Sequence, residues 1–178
     1  MSKEHIKGLA EIGVGQKFWD YMLYGRMDSG EDIRRWVMDI LSRAEKGTDL
    51  PFVAIHLASG RVAGATRYLN ILPKDRGLEV GGTWYGTEFQ RTAVNTECKY
   101  LLLKHAFETL GVIRVQMKTD LRNERSQKAM ERIGAKKEGV LRNHMILPDG
   151  RYRDSVFYSI LDSEWPDVKK KLEEMMNR

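Results

Sequence analysis

Two short polar turns contain the residues of this chain that are best suited to bind a charged ligand. The first covers residues 89–96 and leads into a strongly amphipathic helix predicted for residues 97–108. The second covers residues 122–126 and also opens a helix. The backbone N–H groups and the dipole at a helix N-terminus form a ready site for an anion, typically a phosphate. Two such turns on one sheet predict a long, phosphate-bearing ligand that lies across the strand ends.

The composition is typical of one soluble domain. The chain has 178 residues, of which 42% are hydrophobic and 31% charged, which is enough to bury a core. Cys98 is the only cysteine, which excludes an intrachain disulfide and favours a reducing, cytoplasmic location. No apolar run approaches the roughly 20 residues that a membrane span requires, and the first residues do not resemble a signal peptide.

The formal net charge is +5, so nucleic acid is one conceivable partner. The Lys and Arg residues are, however, scattered along the chain and interleaved with Asp and Glu. Scattered charge of this kind is typical of a solvated surface, and it argues against a nucleic-acid partner. A third interpretation is that local positive charge serves an anionic cofactor.

Hydrophobic periodicity predicts that the first part of the chain is helical. Residues 3–14 place apolar side chains on one face, and residues 18–23 continue that spacing. Ser29 is placed to cap a further helix, which Gly47 ends.

The remaining elements alternate between strands and helices. Strands are predicted at 51–58, 62–72, 78–84 and 114–119, helices at 97–108 and 124–133, a hairpin at 136–147 and 152–161, and a terminal helix at 163–177 capped by Ser163. The Gly81-Gly82 pair predicts a bulge in the third strand or a close approach by another backbone. Because a helix crosses over between the third and fourth strands, these two are expected to be parallel. The order predicts one mixed α/β domain over residues 1–178.

Five short motifs occur in a fixed order along the second half of the chain. They are Gln90-Arg91-Thr92-Ala93-Val94-Asn95, Asn95-Thr96-Glu97, Asn123-Glu124-Arg125-Ser126, Ile133-Gly134-Ala135 followed by Glu138-Gly139, and Asp149-Gly150-Arg151-Tyr152-Arg153-Asp154. Each motif alone is weak, but their order and spacing resemble the GCN5-related N-acetyltransferase (GNAT) superfamily. The resemblance is to the branch that contains the ribosomal-protein N-acetyltransferases, and it covers nearly the whole chain.

The resemblance implies an α+β fold with a mixed, mostly antiparallel twisted sheet, splayed central parallel strands and flanking helices. It divides the chain into a helical acceptor-side segment (1–47), an acetyl-CoA-binding core (78–135) and a C-terminal hairpin (136–161). Two departures stand out. Ala93 replaces a glycine of the loop, so the backbone there must avoid positive φ or carry strain. The family's first strand has no counterpart, so it is absent or lies upstream.

The resemblance also implies where acetyl-CoA binds. Backbone groups of Thr83, Trp84 and Tyr85 would hold the pantetheine between the splayed strands. The loop would take the pyrophosphate through Gln90 and the amides of Arg91, Thr92, Ala93, Val94, Asn95 and Thr96, with a charge-assisted contact from Arg91. Asn123 and Ser126 would contact the cofactor from the second turn, where Asn123 is also a favourable helix cap. The four histidines show no metal-ligand spacing, so no metal is expected.

Two residues are candidates for catalysis. The family often places a general base at the position of Glu79, acting directly or through water; strict alternation would put its side chain on one face with Gly81 and Thr83. The alternative is that Glu79 is an ordinary solvated strand residue. Ser126 could protonate the leaving thiolate, although a thiol with a pKa near 8.5 needs little help.

Other candidates are weaker. Glu138 is a second carboxylate, for which a surface ion pair is the favoured explanation. Tyr158 is a spare candidate proton donor, for which core packing is the favoured role. Cys98 could act as a nucleophile, yet its place inside a helix favours a buried small hydrophobe. His144 could face the substrate.

The expected activity is acetyl transfer from acetyl-CoA to a primary amine, with a protein N-terminus as the favoured acceptor. Alternatives are a small-molecule amine acceptor, or an acyl-CoA-binding module without catalysis. The acceptor pocket would lie between residues 18–26 and the last hairpin. A homodimer through the final strands is conceivable.

Overall fold

The fold is built on one six-stranded sheet. The computed structural model describes residues 1–177. The strands are β1 (Asp49–His56), β2 (Arg61–Leu72), β3 (Gly77–Tyr85), β4 (Arg114–Asp120), β5 (Lys136–Ile146) and β6 (Tyr152–Leu161). Their order in the sheet is β1-β2-β3-β4-β6-β5, and only the β3–β4 pair is parallel. The predicted mixed, mostly antiparallel sheet with a central parallel pair is thus confirmed.

Within residues 1–177, five α-helices cover the two faces of the sheet. They are α1 (Ile6–Gly13), α2 (Gly30–Glu45), α3 (Val94–Lys104), α4 (Glu124–Arg132) and α5 (Trp165–Met176). The helix ends follow capping signals in the sequence. The Ser29 hydroxyl accepts the Asp32 N–H at the start of α2, and the Asn123 side chain accepts the Ser126 N–H at the start of α4.

Strands β3 and β4 separate soon after they meet. Their pairing runs only from Gly77 opposite Arg114 to Glu79 opposite Gln116. Strand β4 pairs with β6 over its whole length, whereas β3 continues to Tyr85 without a partner on its β4 side. The expected splay of the central strands is therefore present, and it opens a cleft in the middle of the sheet.

The predicted bulge in β3 reverses the direction of the side chains that follow it. The register with β2 shifts between Ala65 and Arg67, where Gly82 has a φ of +57°. Before the bulge, Val80 lies opposite Tyr68 on the α3 face. After it, Thr83 also points to that face, because its hydroxyl bonds to Thr66 at 2.8 Å. The prediction that Glu79 and Thr83 share a face is wrong, because it assumed uninterrupted alternation.

Each face of the sheet has its own core. On one face, α1 and α2 bury an aromatic cluster of Trp19, Trp36 and Trp84, joined by half-buried Phe18. On the other, α3 and α5 cover the apolar side chains of β3, β4 and β6. The neighbouring residues Thr83 and Trp84 therefore contact opposite faces of the sheet. Thr83 lies on the α3 face, and Trp84 packs in the α1–α2 core.

Several element boundaries differ from the predictions. Residues 18–23 do not continue a helix; a 3₁₀ turn covers Lys17–Tyr21 and the chain is then extended at Met22. Helix α3 begins at Val94, three residues before the predicted start, and a π turn follows it at His105–Thr109. Ser163 does not cap the last helix; it lies within a 3₁₀ turn, Asp162–Glu164. The Glu164 carboxylate accepts the Leu161 N–H at 3.0 Å instead.

The close packing of β2 against the end of β3 can be tested at Gly64. A Cβ added to Gly64 would lie 2.2 Å from the Trp84 carbonyl oxygen. We expect Gly64→Ala to lower the free energy of unfolding by about 1–3 kcal/mol, because backbone must shift to make room. Gly139→Ala is the matched control, since no atom outside its chain neighbours lies within 4 Å. Urea unfolding of both variants measures this, and equal stability would contradict the tight contact.

Candidate active site

The splay of β3 from β4 forms one long cleft with a cavity volume of about 590 Å³. Its walls come from the free end of β3, the last residues of β4, the first turns of α3 and α4, and residues 18–24. The cleft brings together Glu79, Thr83, Trp84, Tyr85, Gln90, Arg91, Thr92, Asn95, Asn123 and Ser126, which are predicted site residues from distant parts of the sequence. Ala93, Val94 and Thr96 belong to the same loop and helix start but do not line the cavity.

The loop before α3 accepts Ala93 without strain. Ala93 has a φ of −65° and a ψ of −18°, an ordinary helical conformation. The one left-handed residue in the loop is Arg91, with a φ of +62°. Alanine in the glycine place is therefore compatible with the loop conformation, because the positive φ occurs two residues earlier.

The backbone of this loop is able to receive an anion. The amides of Arg91, Thr92 and Ala93 donate no hydrogen bond within residues 1–177. The amides of Asn95 and Thr96 lie in the first helical turn, where the preceding turn offers no carbonyl partner. Five donors at one helix start, with the Arg91 side chain beside them, suit a pyrophosphate.

Gln90 and Arg125 connect the loop to its surroundings. The Gln90 amide donates to the Tyr85 carbonyl at 2.9 Å and accepts from the Arg125 guanidinium at 2.6 Å. This side chain therefore fixes the distance between the end of β3 and the start of α4. Arg125 was not singled out from the sequence, although it occupies the variable part of the second motif.

Ser126 is placed as the sequence predicts, at the third position of α4. Its N–H is taken by the Asn123 cap at 3.1 Å. Its hydroxyl makes no hydrogen bond to the described part of the chain, and the residue lines the cleft. The hydroxyl is therefore available to a ligand.

Glu79 is buried at the point where the strands part, and only 2% of its surface is exposed. One oxygen, Oε2, accepts from the Asn70 amide at 2.9 Å, the Gln116 amide at 3.0 Å and the Lys118 ammonium at 2.8 Å. The other oxygen accepts none of the hydrogen bonds found within residues 1–177. The alternative of a solvated strand residue is wrong. Glu79 is a fixed, charge-paired carboxylate in the cleft.

Sequence reasoning missed a buried lysine in the wall of the cleft. Lys99 is 7% exposed, and its ammonium donates to the Thr83 hydroxyl at 3.0 Å. Burial lowers the pKa of Lys99 to about 8. The signal was available, because Lys99 lies with Thr96 and Leu103 on the buried stripe of α3. The Thr83 hydroxyl is thus hydrogen-bonded to both Thr66 on β2 and Lys99 on α3.

Trp84 and Tyr85 anchor the free end of β3 through their side chains. Both side chains are buried in the α1–α2 core, and Trp84 packs against Phe18 with ring centroids 5.5 Å apart. Burial raises the pKa of Tyr85 well above its usual range. The two residues form a rigid wall that holds the free edge of β3 in place.

Two buried arginines at the far end of the cleft were also missed. Arg67 lies on β2, opposite Gly81, and pairs with Asp49 at 2.8 Å between Nε and Oδ2. Arg153 lies near the start of β6, beside the backbone of Tyr21. Both line the cleft together with Glu79 and Lys118. This end lies beside residues 21–24 and the last hairpin, where the sequence predicts the acceptor pocket.

The weaker candidates have structural explanations. Glu138 is paired with Arg114 and accepts the Ser159 hydroxyl at 2.7 Å. The Tyr158 hydroxyl donates to Glu131 at 2.8 Å, and burial raises the pKa of Tyr158 to about 12. Burial raises the pKa of the Cys98 thiol, which makes a thiolate nucleophile unfavourable there. The His144 ring is within 2.9 Å of the Ser155 hydroxyl.

The described residues contain no group of three or more His, Cys, Asp or Glu side chains arranged to hold a metal ion. Across residues 1–177, no helix has both the length and the apolar character that a membrane crossing requires.

Comparison with known proteins places this cleft in a family. Residues 1–136 match the Acetyltransferase (GNAT) domain family. The chain therefore belongs to the GNAT acetyltransferase family, as the motifs predict. Its single α/β domain, with one splayed parallel pair, has the fold of that family.

Individual relatives agree with this assignment. The chain is 33% identical over 113 residues to “Putative ribosomal N-acetyltransferase YdaF” of Bacillus subtilis (strain 168). That match covers 64% of this chain and 61% of the relative, so it spans less than two thirds of the relative's length.

Solved structures match over nearly the whole chain. A “putative acetyltransferase” from T. thermophilus is 36% identical, with a TM-score of 0.90, over 99% of this chain and 90% of that one. A GCN5-related N-acetyltransferase from Brucella melitensis is 28% identical, with a TM-score of 0.88, over 99% of this chain and 79% of that one.

The buried Lys99 should make stability depend on pH. Its pKa falls from 10.5 to about 8 on folding, so the unfolded chain binds more protons between these values. Stability should therefore rise from pH 8 to pH 10.5 as the cost of a buried charge is removed. Relative to Lys99→Met, the free energy of unfolding of the wild type should increase by on the order of 3 kcal/mol between pH 8 and pH 10.5. Chemical unfolding of both proteins at each pH measures the difference, and parallel curves would contradict it.

Proposed function

We propose that this protein transfers the acetyl group of acetyl-CoA directly to a primary amine, and that the acceptor is the α-amino group of a protein chain. The observation that carries the proposal is the parting of β3 from β4 above a loop in which the Arg91, Thr92 and Ala93 amides have no partner among residues 1–177. A pantetheine arm needs a narrow slot with backbone donors and acceptors, and the free edge of β3 supplies one. A pyrophosphate needs donors and positive charge at the end of that slot, and the Arg91–Thr96 loop supplies them.

Acetyl-CoA supplies the acetyl group as a thioester. The residues of the chain have three tasks: to bind the amine, to remove its proton and to protonate the departing sulfur. Glu79 is the residue best placed for the proton removal, because it is the one carboxylate among the cleft-lining residues that the structure describes. It acts through its less engaged oxygen, directly or through one water.

Ser126 is the candidate proton donor on the cofactor side. Its hydroxyl has no hydrogen-bond partner among residues 1–177 and lies on the first turn of α4. When the nitrogen–carbon bond forms and the carbon–sulfur bond breaks, the sulfur leaves as a thiolate that takes one proton. A thiol with a pKa near 8.5 leaves readily, so this contribution is the smaller one.

The nature of the acceptor follows from proton chemistry. An α-amino group has a pKa of about 7.7–8.0, whereas that of a lysine side chain is about 10.4. A carboxylate base can deprotonate the former near neutral pH far more readily. The YdaF relative is named as a ribosomal N-acetyltransferase, which supports a protein acceptor.

Binding of acetyl-CoA should raise the thermal stability. A ligand that binds only the folded state at 100 times its Kd adds about 2.7 kcal/mol. For a chain of this size, that is a rise in Tm of roughly 5–10 °C. ATP at equal concentration is the control for a non-selective anion. An equal rise with ATP, or no rise with acetyl-CoA, would contradict a selective cofactor slot.

The proposed roles predict different effects for two substitutions. Glu79→Gln keeps the shape of the side chain but removes the base, so kcat should fall by roughly 10²–10⁴-fold. The shift in Tm with acetyl-CoA should persist, since Glu79 contributes no donor to the loop. Ser126→Ala should lower kcat by less than Glu79→Gln does.

Acetylation of an N-terminal peptide, followed by mass spectrometry, measures both variants. If both keep the kcat of the wild type, the assigned roles are wrong. If the wild type binds acetyl-CoA but acetylates no peptide and no small amine, the protein is an acyl-CoA-binding module instead.

A further inference from the structure

Arg153 is a buried guanidinium without a counter-charge. It is 4% exposed, and it forms no ion pair with any described residue. Its Nε has no hydrogen-bond partner among residues 1–177. Its Nη1 donates only to the Tyr21 carbonyl, over a long 3.4 Å. Arginine does not lose its proton in proteins, so this is a buried charge with unused donors.

The charged side chains around Arg153 are already paired with one another. Lys118 pairs with Glu79 at 2.8 Å. Arg151, the residue two positions earlier on the chain, pairs with Asp120 at 3.0 Å. Burial lowers the pKa of Arg153, and the Asp120 and Glu79 carboxylates offset this only in part. One uncompensated positive charge therefore remains at this end of the cleft.

Arg67 adds a second set of donors to the same end. Its Nη2 hydrogen-bonds to the Tyr24 hydroxyl, and its charge is neutralised by Asp49. Its Nη1 is buried and has no hydrogen-bond partner within the described chain. A Cβ at Gly82 would lie 3.0 Å from this guanidinium. The glycine of the bulge thus leaves room for Arg67 to lie against β3, along the cleft.

A buried charge with open donors is costly unless a partner arrives. We propose that the acceptor carries a carboxylate close to its amine, and that Arg153, assisted by Arg67, binds this carboxylate while the amine lies at Glu79. This inference rests on the proposed acetyl transfer and specifies its acceptor. Arg153 is then a substrate-binding residue that sets specificity.

The other charges of the cleft support an anionic acceptor. The charged residues that line it are Arg67, Arg91, Lys99, Lys118, Arg125, Arg132 and Arg153 against the single acid Glu79. Phosphates of the cofactor can account for the arginines near the loop, but not for those at the acceptor end. A polyamine or another polycationic amine would meet like charge there and should be a poor substrate.

Two kinds of molecule could supply the carboxylate. It could be an aspartate side chain next to the N-terminal residue of a peptide, or the α-carboxylate of a free amino acid. The experiment compares two matched pairs: a peptide beginning serine-aspartate with its serine-asparagine twin, and alanine with alaninamide. Each pair differs by one carboxylate, so the pair that shows a preference identifies the source.

We expect the wild type to favour the carboxylate member of one pair by roughly 10–100-fold in kcat/KM, the range of a hydrogen bond to a charged group. Arg153→Gln should abolish the preference, and Arg153→Lys should retain part of it. Arg142→Gln, an exposed arginine on the same hairpin, should leave it unchanged. Thermal unfolding of each variant checks that the fold is intact.

A binding measurement separates this inference from the proposed function. Calorimetry with the N-acetylated forms of the two peptides, and with N-acetylalanine and its amide, requires no turnover. A preference for the carboxylate form that Arg153→Gln removes would support the inference even if no transfer were seen, and only the proposed function would then fail. Equal use and equal binding of both members of each pair would overturn the inference.

Discussion

The site depends on one constraint, the brief contact between β3 and β4. Strand β4 pairs with β6 over its full length, whereas only the first residues of β3 pair with β4. The remaining backbone of β3 is left with unpaired polar groups in the interior of the sheet. Such groups are costly unless a partner satisfies them, which supports the proposal that the open edge of β3 binds a ligand. The loop before α3 then begins where this edge ends.

The bulge at Gly82 gives the open edge its rigidity. Without it, Thr83 and Trp84 would each point to the opposite face. With it, Thr83 bonds to Thr66 and Lys99, while Trp84 enters the aromatic cluster of α1 and α2. A strand that lacks a neighbour on one side is therefore fixed from both faces. This explains how β3 can keep its shape beside a cavity without further pairing.

Much of the architecture could be predicted because it is local. The Ser29 and Asn123 caps and the bulge at Gly81-Gly82 depend on residues close in sequence. The side-chain directions after the bulge could not be predicted, because they depend on which residue of β3 is the extra, unpaired one.

The charges of the site were equally hidden in the sequence. Glu79 meets Lys118 across a sequence separation of 39 residues, and nothing near either one indicates the pair. The same holds for Arg153. Its lack of an ion-pair partner among the described residues depends on how distant segments meet in the cleft. Lys99 differs, because its position on the buried stripe of α3 was visible. The charge of Lys99 hides this position, because lysine is almost never fully buried unless it is paired.

The charges at the acceptor end also bear on how a carboxylate can act as a base here. A positive charge near an amine lowers the pKa of that amine. Lys118 places a positive charge beside Glu79, where the amine of the acceptor is proposed to lie. This charge disfavours the ammonium form, so part of the deprotonation would come from the surroundings, and Glu79 would accept the proton as the new bond forms. An α-amino group, already close to neutral in water, requires the least help of this kind, which is why the positive pocket and the proposed acceptor are consistent with each other.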